Sequence, residues 1–229
     1  VGQGMIRAAI FDLDGVIVDT AKYHYRAWRR LARELGFEFT ERDNERLKGV
    51  SRGRSLEILL EVGGFDKEGA FSDVQRQQMA DRKNGWYVEY VSGMTPAEIL
   101  PGAVEFLREV REDGVRTALG SASKNTGIIL DRLKIGGLFD AVVDGTMVSR
   151  TKPDPEVFLT CASMLGGGIL PAGCVVFEDA GAGVRAARGG GMHCVGIGSS
   201  ETLREAELVV SGFAGVSWKG VKNQLNTVR

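Results

Sequence analysis

The sequence predicts an α/β fold: a parallel sheet covered by helices on both faces and interrupted after its first strand by a helical insertion. Three observations predict it. Short apolar runs recur along the chain, each followed by Gly, Ser or Asp; helical periodicity fills the intervals between them; and residues 20–95 carry helical patterning with no strand-like run.

The first strand is the apolar run Ala8–Phe11, closed by the turn signal Asp14-Gly15. Tyr25, Trp28, Ala32 and Leu35 then mark an amphipathic helix that opens the insertion. Pro96 and the Leu100-Pro101-Gly102 turn return the chain to the sheet. Further strands are expected at 115–119, 141–143, 174–177 and 194–197. Between them Ala103, Leu107 and Val110 share one helical face, and Val157, Phe158, Cys161 and Leu165 share another. The pattern divides the chain into a core of residues 1–19 and 96–229 and an inserted unit of residues 20–95.

Composition narrows the function classes. The 229 residues are 43% hydrophobic, which suffices for a sizeable core plus a smaller unit. Lys and Arg number 29 against 30 Asp and Glu, with no long block of one sign, so nucleic-acid and membrane-surface partners are disfavoured. Cys161, Cys174 and Cys194 form no CxxC, which points to buried free thiols in a reducing compartment. No run approaches the roughly 20 apolar residues of a bilayer span, so the chain is expected to be soluble and cytoplasmic. GxGxxG, P-loop and GxSxG motifs are all absent.

Asp12 and Asp14 alternate in Phe11-Asp12-Leu13-Asp14-Gly15 at the end of the first strand, so an extended backbone projects both carboxylates to one side. Parallel α/β sheets place their sites beyond the carboxyl ends of their strands. A second acidic pair, Glu178-Asp179, follows the apolar run 174–177 and reaches the same edge. Carboxylates clustered in this way repel unless a hard cation lies among them, and magnesium takes oxygen ligands together with phosphate. Ser121-Ala122-Ser123-Lys124-Asn125 follows a strand and opens a helix, where hydroxyls and backbone N–H groups hold anions. Lys152, in Thr151-Lys152-Pro153-Asp154-Pro155, supplies a cation ahead of a helix beginning at or just after Pro155.

These four segments, in this order, resemble the four motifs of the haloacid dehalogenase superfamily, and the match covers essentially the whole chain. The resemblance implies a Rossmann-like, doubly wound core with a small helical cap formed by residues 20–95. It implies that Asp12 is the nucleophile that becomes an aspartyl-phosphate, Asp14 the general acid and base, and Ser121 and Lys152 the groups that steady the phosphoryl charge. Magnesium would be held by Asp12, Glu178, Asp179 and the backbone carbonyl of Asp14.

Residues 19–28, 47–52, 82–84 and 121–125 are further similar to superfamily enzymes that interconvert β-D-glucose 1-phosphate and D-glucose 6-phosphate through glucose 1,6-bisphosphate. That likeness implies that Arg52 grips the non-transferring phosphate and that Ser123, Lys124 and Asn125 contact it from the core side, with Ser121 and Ala122 in the same substrate-binding run. Thr20 and His24 would couple cap closure to Asp14, and Lys83 with the Gly49-Val50 backbone would line the sugar pocket. The enzyme is expected to act as a monomer. A sugar-phosphate phosphatase with the same Asp12 chemistry is the alternative, disfavoured by Arg52 and the Ser-Lys-Asn run. Trp28 is read as core, and His193 is assigned nothing.

Overall fold

The computed structural model describes residues 5–47, 51–65 and 69–227. The chain divides into two compact units, one of residues 1–19 with 95–229 and one of residues 20–94.

The larger unit begins with β1 (Ala8–Phe11), and the smaller contributes α1 (Ala21–Glu34), α2 (Glu41–Glu45), α3 (Arg52–Val62) and α4 (Asp73–Ser92). The larger unit then continues through α5 (Ala103–Glu112), β2 (Arg116–Gly120), α6 (Thr126–Leu133), β3 (Ala141–Val143) and α7 (Glu156–Leu165). It closes with β4 (Cys174–Glu178), α8 (Gly181–Gly189), β5 (His193–Ile197), β6 (Leu208–Val210) and α9 (Trp218–Thr227). The sheet is parallel throughout, in the order β3-β2-β1-β4-β5-β6. Phe11 pairs in register with Leu119 on β2 and Phe177 on β4, so the carboxyl ends of these three strands lie level.

Alternation along the strands builds two core layers. Ala8, Ile10, Ala118, Cys174, Val176 and Cys194 pack with Phe158 and Cys161 of α7 and Val184 and Ala187 of α8. The rings of Phe11 and Phe177 stack at 4.7 Å; Phe106 of α5 meets Phe177 edge-on at 5.2 Å and lies 4.5 Å from Phe213. Trp218 fixes α9 to the end of α5, its indole donating to Asp113 Oδ2 at 2.8 Å and its backbone N–H to Glu109 Oε2 at 2.8 Å. The three cysteines are buried and free, and burial pushes the Cys161 thiol up to about 12 and Cys174 to about 11. Neither is a thiolate at neutral pH.

In α2, α3 and α4 of the helical unit, caps mark where the helices start. Thr40 with Asp43 and Ser72 with Gln75 form capping boxes at the starts of α2 and α4, and the Ser51 side chain accepts the Arg54 N–H at the start of α3. Its core joins Trp28, Leu31, Phe39, Leu56, Leu59 and Met79. No described helix is long and apolar enough to cross a membrane.

Two elements depart from the sequence reading. The buried stripe of α1 is Tyr23, Ala27, Trp28, Leu31 and Ala32, whereas Tyr25 is half-buried and Leu35 sits at the helix end. The helix is therefore rotated toward Tyr23, and the Tyr25 hydroxyl turns out to the Phe39 carbonyl at 3.4 Å. The sixth strand, β6, was not expected; it is three half-buried residues on the sheet edge, too short for a clear period-two signal.

Phe106 fills the centre of the aromatic layer with 1% exposure. Phe106→Ala is expected to lower stability by about 3–5 kcal/mol, read as a lower urea midpoint in equilibrium unfolding; a midpoint unchanged from the parent would refute the packing assigned to this layer.

Candidate active site

Three chain segments converge at the level carboxyl ends of β1, β2 and β4. Asp12 follows β1 directly, anchored by its N–H to the Phe177 carbonyl at 3.0 Å, and is 8% exposed. Glu178, the last residue of β4, is 1% exposed. Lys152 reaches in from the segment before α7 and donates to both, to Asp12 Oδ1 at 2.6 Å and to Glu178 Oε1 at 2.6 Å. The Gly120 carbonyl lies 3.4 Å from the same ammonium, and the Phe158 ring lies 4.7 Å from it.

Burial works to lower the Lys152 pKa, but the negative charges of Asp12 and Glu178 outweigh it and hold the ammonium charged. Glu178 moves upward, mainly because it is buried, with Lys152 and the Ala180 N–H at 2.9 Å opposing the shift. Asp179 is pushed up to about 8, first by lost hydration and then by the charges of Asp12, Glu178 and Asp14. Its residue surface still meets solvent, so the mutual repulsion is the part of this shift that a bound cation cancels.

That repulsion and the donor chemistry test whether a metal fits. Oxygens of Asp12, Glu178 and Asp179 lie within 4.8 Å of one another, an all-oxygen set suited to a hard divalent ion. The Asp14 side chain is not in that set; it is half-buried and near enough to Asp179 to raise its pKa. Two glycines make the cluster possible. A Cβ on Gly183 would overlap the Glu178 carboxylate, and one on Gly15, whose φ is +76°, would overlap that of Asp179.

The anion-holding run is locally ordered. Ser121 is buried at 2% exposure, its hydroxyl accepts the Ser123 N–H at 3.1 Å, and the Ser123 hydroxyl accepts the Asn125 N–H at 3.2 Å. Ala122 and Lys124 are exposed, and Asn125 precedes α6 without a side-chain cap bond.

The helical unit holds a second set by itself. Lys83 Nζ lies 2.8 Å from His24 Nδ1, 4.5 Å from the Trp28 ring and 5.1 Å from the Tyr87 ring. His24 stacks on Tyr87 with centroids 4.0 Å apart, and the Tyr87 hydroxyl donates to Thr20 Oγ1 at 3.3 Å. Burial, then the charge of Arg52, draws Lys83 down to about 7; burial, Lys83 and Arg52 hold His24 well below its usual value. When Lys83 is charged it can only donate, so His24 Nδ1 then accepts and Nε2 carries the imidazole proton. Gly49 and Val50 lie outside the described residues.

Sequence reasoning missed the Gly120 carbonyl, the Phe158 ring, Tyr87 and Gly183. The first three act through tertiary contact and leave no local signal. Gly183 was legible as the third residue of the Gly181-Ala182-Gly183 helix start after the second acidic pair.

Comparison with known proteins agrees with this geometry. A family model described as haloacid dehalogenase-like hydrolase matches residues 6–191. The β-phosphoglucomutase of Bacillus subtilis (strain 168) is 42% identical over 205 residues, covering 90% of this chain and 89% of that protein. A crystal structure of β-phosphoglucomutase from Clostridium difficile superposes with a TM-score of 0.88 at 40% identity, covering 97% of this chain and 98% of that one. A phosphorylated carbohydrates phosphatase of Thermotoga maritima is 30% identical, covering 97% of this chain and all (100%) of that protein. The chain belongs to the haloacid dehalogenase-like hydrolase family.

Proposed function

We propose that this protein is a phosphosugar mutase that interconverts β-D-glucose 1-phosphate and D-glucose 6-phosphate through an aspartyl-phosphate on Asp12 and a bound glucose 1,6-bisphosphate. The observation that carries it is Lys152, held 2.6 Å from both Asp12 and Glu178 beside a third carboxylate, Asp179. The likeness to β-phosphoglucomutases over nine-tenths of the chain supports the choice of substrate.

Asp12 presents one oxygen to Lys152 and keeps the other for attack on phosphorus. As the new Asp12–phosphorus bond forms, the bond from phosphorus to the sugar oxygen breaks, and Asp14 gives its proton to the departing oxygen. In the return half-reaction Asp14 takes the proton from the acceptor sugar hydroxyl while that oxygen attacks the aspartyl-phosphate. Ser121 and the N–H groups of the 121–125 run hold the phosphoryl oxygens, and Lys152 offsets their charge at the moment of transfer. Asp12, Glu178, Asp179 and the Asp14 carbonyl would hold magnesium, which when bound supplies neutralisation of the carboxylates and polarisation of the phosphoryl group.

The helical unit, residues 20–94, acts in this reading as a cap. In this unit Arg52 is assigned to the phosphate that is not transferred, Lys83 to the sugar, and Thr20 and His24 to substrate binding; in the core, the Ser123-Lys124-Asn125 run is assigned to anion binding. Substrates are small phosphorylated sugars, the chain works as a monomer, and its setting is the cytoplasm.

Purified protein given Mg²⁺, β-glucose 1-phosphate and a trace of glucose 1,6-bisphosphate should form glucose 6-phosphate faster than inorganic phosphate, and EDTA should stop both. Inorganic phosphate as the main product would instead identify a sugar-phosphate phosphatase. Asp12→Ala should abolish turnover, and Lys152→Ala should lower kcat by at least about 100-fold, the scale of removing one preorganised charge from the transition state. Stopped-time product analysis of these variants checks both, and turnover surviving in Asp12→Ala would rule out the covalent route.

A further inference from the structure

Arg52, the residue assigned to the non-transferring phosphate, makes a polar contact within the helical unit that has so far been given no role. Arg52, at the first position of α3, donates from Nη2 to Asn84 Oδ1 at 2.9 Å, across 32 residues of chain. Among the described residues this is the only hydrogen bond of the Arg52 side chain, and no carboxylate pairs with it. Asn84 is half-buried on α4, next in sequence to Lys83, whose ammonium likewise has no carboxylate partner among the described residues.

From this arrangement we infer that Asn84 is a positioning residue, a neutral tether that fixes the direction of the Arg52 guanidinium while leaving its charge and remaining donors for the non-transferring phosphate. The inference rests on the anion-gripping role given to Arg52 under the proposed function. An arginine side chain that is largely free in water spends most of its time in other rotamers, and each immobilised side chain of this length costs affinity when the ligand must order it. A tether prepays that ordering. The acceptor must be neutral, because a carboxylate at this position would form a charge-assisted bidentate pair and compete with the phosphate for the same fork. An amide oxygen occupies one N–H and leaves the positive charge uncancelled.

The test measures KM for glucose 1,6-bisphosphate and kcat in Asn84→Ala, Asn84→Asp and Arg52→Ala, and in Asn84→Ala and Asn84→Asp each combined with Arg52→Ala. Alanine at an interior position of α4 favours the helix, so the variant keeps its fold. Asn84→Ala should raise KM about fivefold, the worth of one partly solvated hydrogen bond to a charged group, with a smaller change in kcat. Asn84→Asp should raise KM further. In the Arg52→Ala background the further effect of either change on KM should largely vanish, because the tether works through that arginine. An unchanged KM in Asn84→Ala, or a rise of the same size with Arg52 absent, overturns the tether while leaving the mutase reading intact. If Arg52→Ala itself leaves KM unaltered, the anion grip assigned to Arg52 fails and the tether fails with it.

Discussion

The contact on which the site depends is the double ion pair of Lys152 with Asp12 and Glu178. Its three members come from the end of β1, the end of β4 and the segment preceding α7, so none can be placed without the others. Each is nearly removed from water, and taking away one partner of a buried charged pair destabilises by about 3–5 kcal/mol because the remaining charge is stranded. The same bonds that hold the nucleophile therefore help to lock the carboxyl edge of the sheet. Level strand ends at Phe11, Leu119 and Phe177 are what allow a single ammonium to span two carboxylates at 2.6 Å each.

One cation does not balance this cluster. Lys152 bridges Asp12 and Glu178, while Asp179 is pushed up to about 8, first by lost hydration and then by the charges of Asp12, Glu178 and Asp14. A site left in that condition would hold protons in place of charge and would repel a phosphate dianion. A divalent ion among the three oxygens removes both problems, which is why the donor geometry and the perturbed acid point to the same ligand chemistry. Gly15 and Gly183 serve this arrangement by leaving out the atoms that would force Asp179 and Glu178 aside.

Much of this was legible in the sequence because it is written locally. A strand buried on both faces is an uninterrupted apolar run, and β1 to β5 were found from such runs with ends displaced by at most one residue. Asp12 and Asp14 declared themselves by period-two spacing at a strand end, and Glu178-Asp179 by the apolar run before it. The positions that stayed hidden depend on tertiary contact. β6 is an edge strand of three half-buried residues preceded by Glu205 and Glu207, so its pattern merges with a polar turn. Nothing near Lys152 in sequence says that it bridges two carboxylates, nor that the Phe158 ring lies beside it. Tyr87 reads as one more aromatic on a helix of weak amphipathic pattern, although it stacks on His24 and bonds Thr20.

The helical unit poses the reverse electrostatic problem and solves it by different means. Arg52, Lys83 and His24 gather without a carboxylate partner for Arg52 or Lys83 among the described residues, and three full positive charges there would repel as strongly as the acids do in the core. Burial against Trp28 and Tyr87 brings Lys83 down to about 7, and His24 stays neutral as the acceptor of the lysine's hydrogen bond. An anion arriving at Arg52 favours the charged lysine again, so binding negative charge and gaining a proton become linked events within this unit. Asn84 is neutral, so its hydrogen bond to Arg52 adds no compensating negative charge to this group.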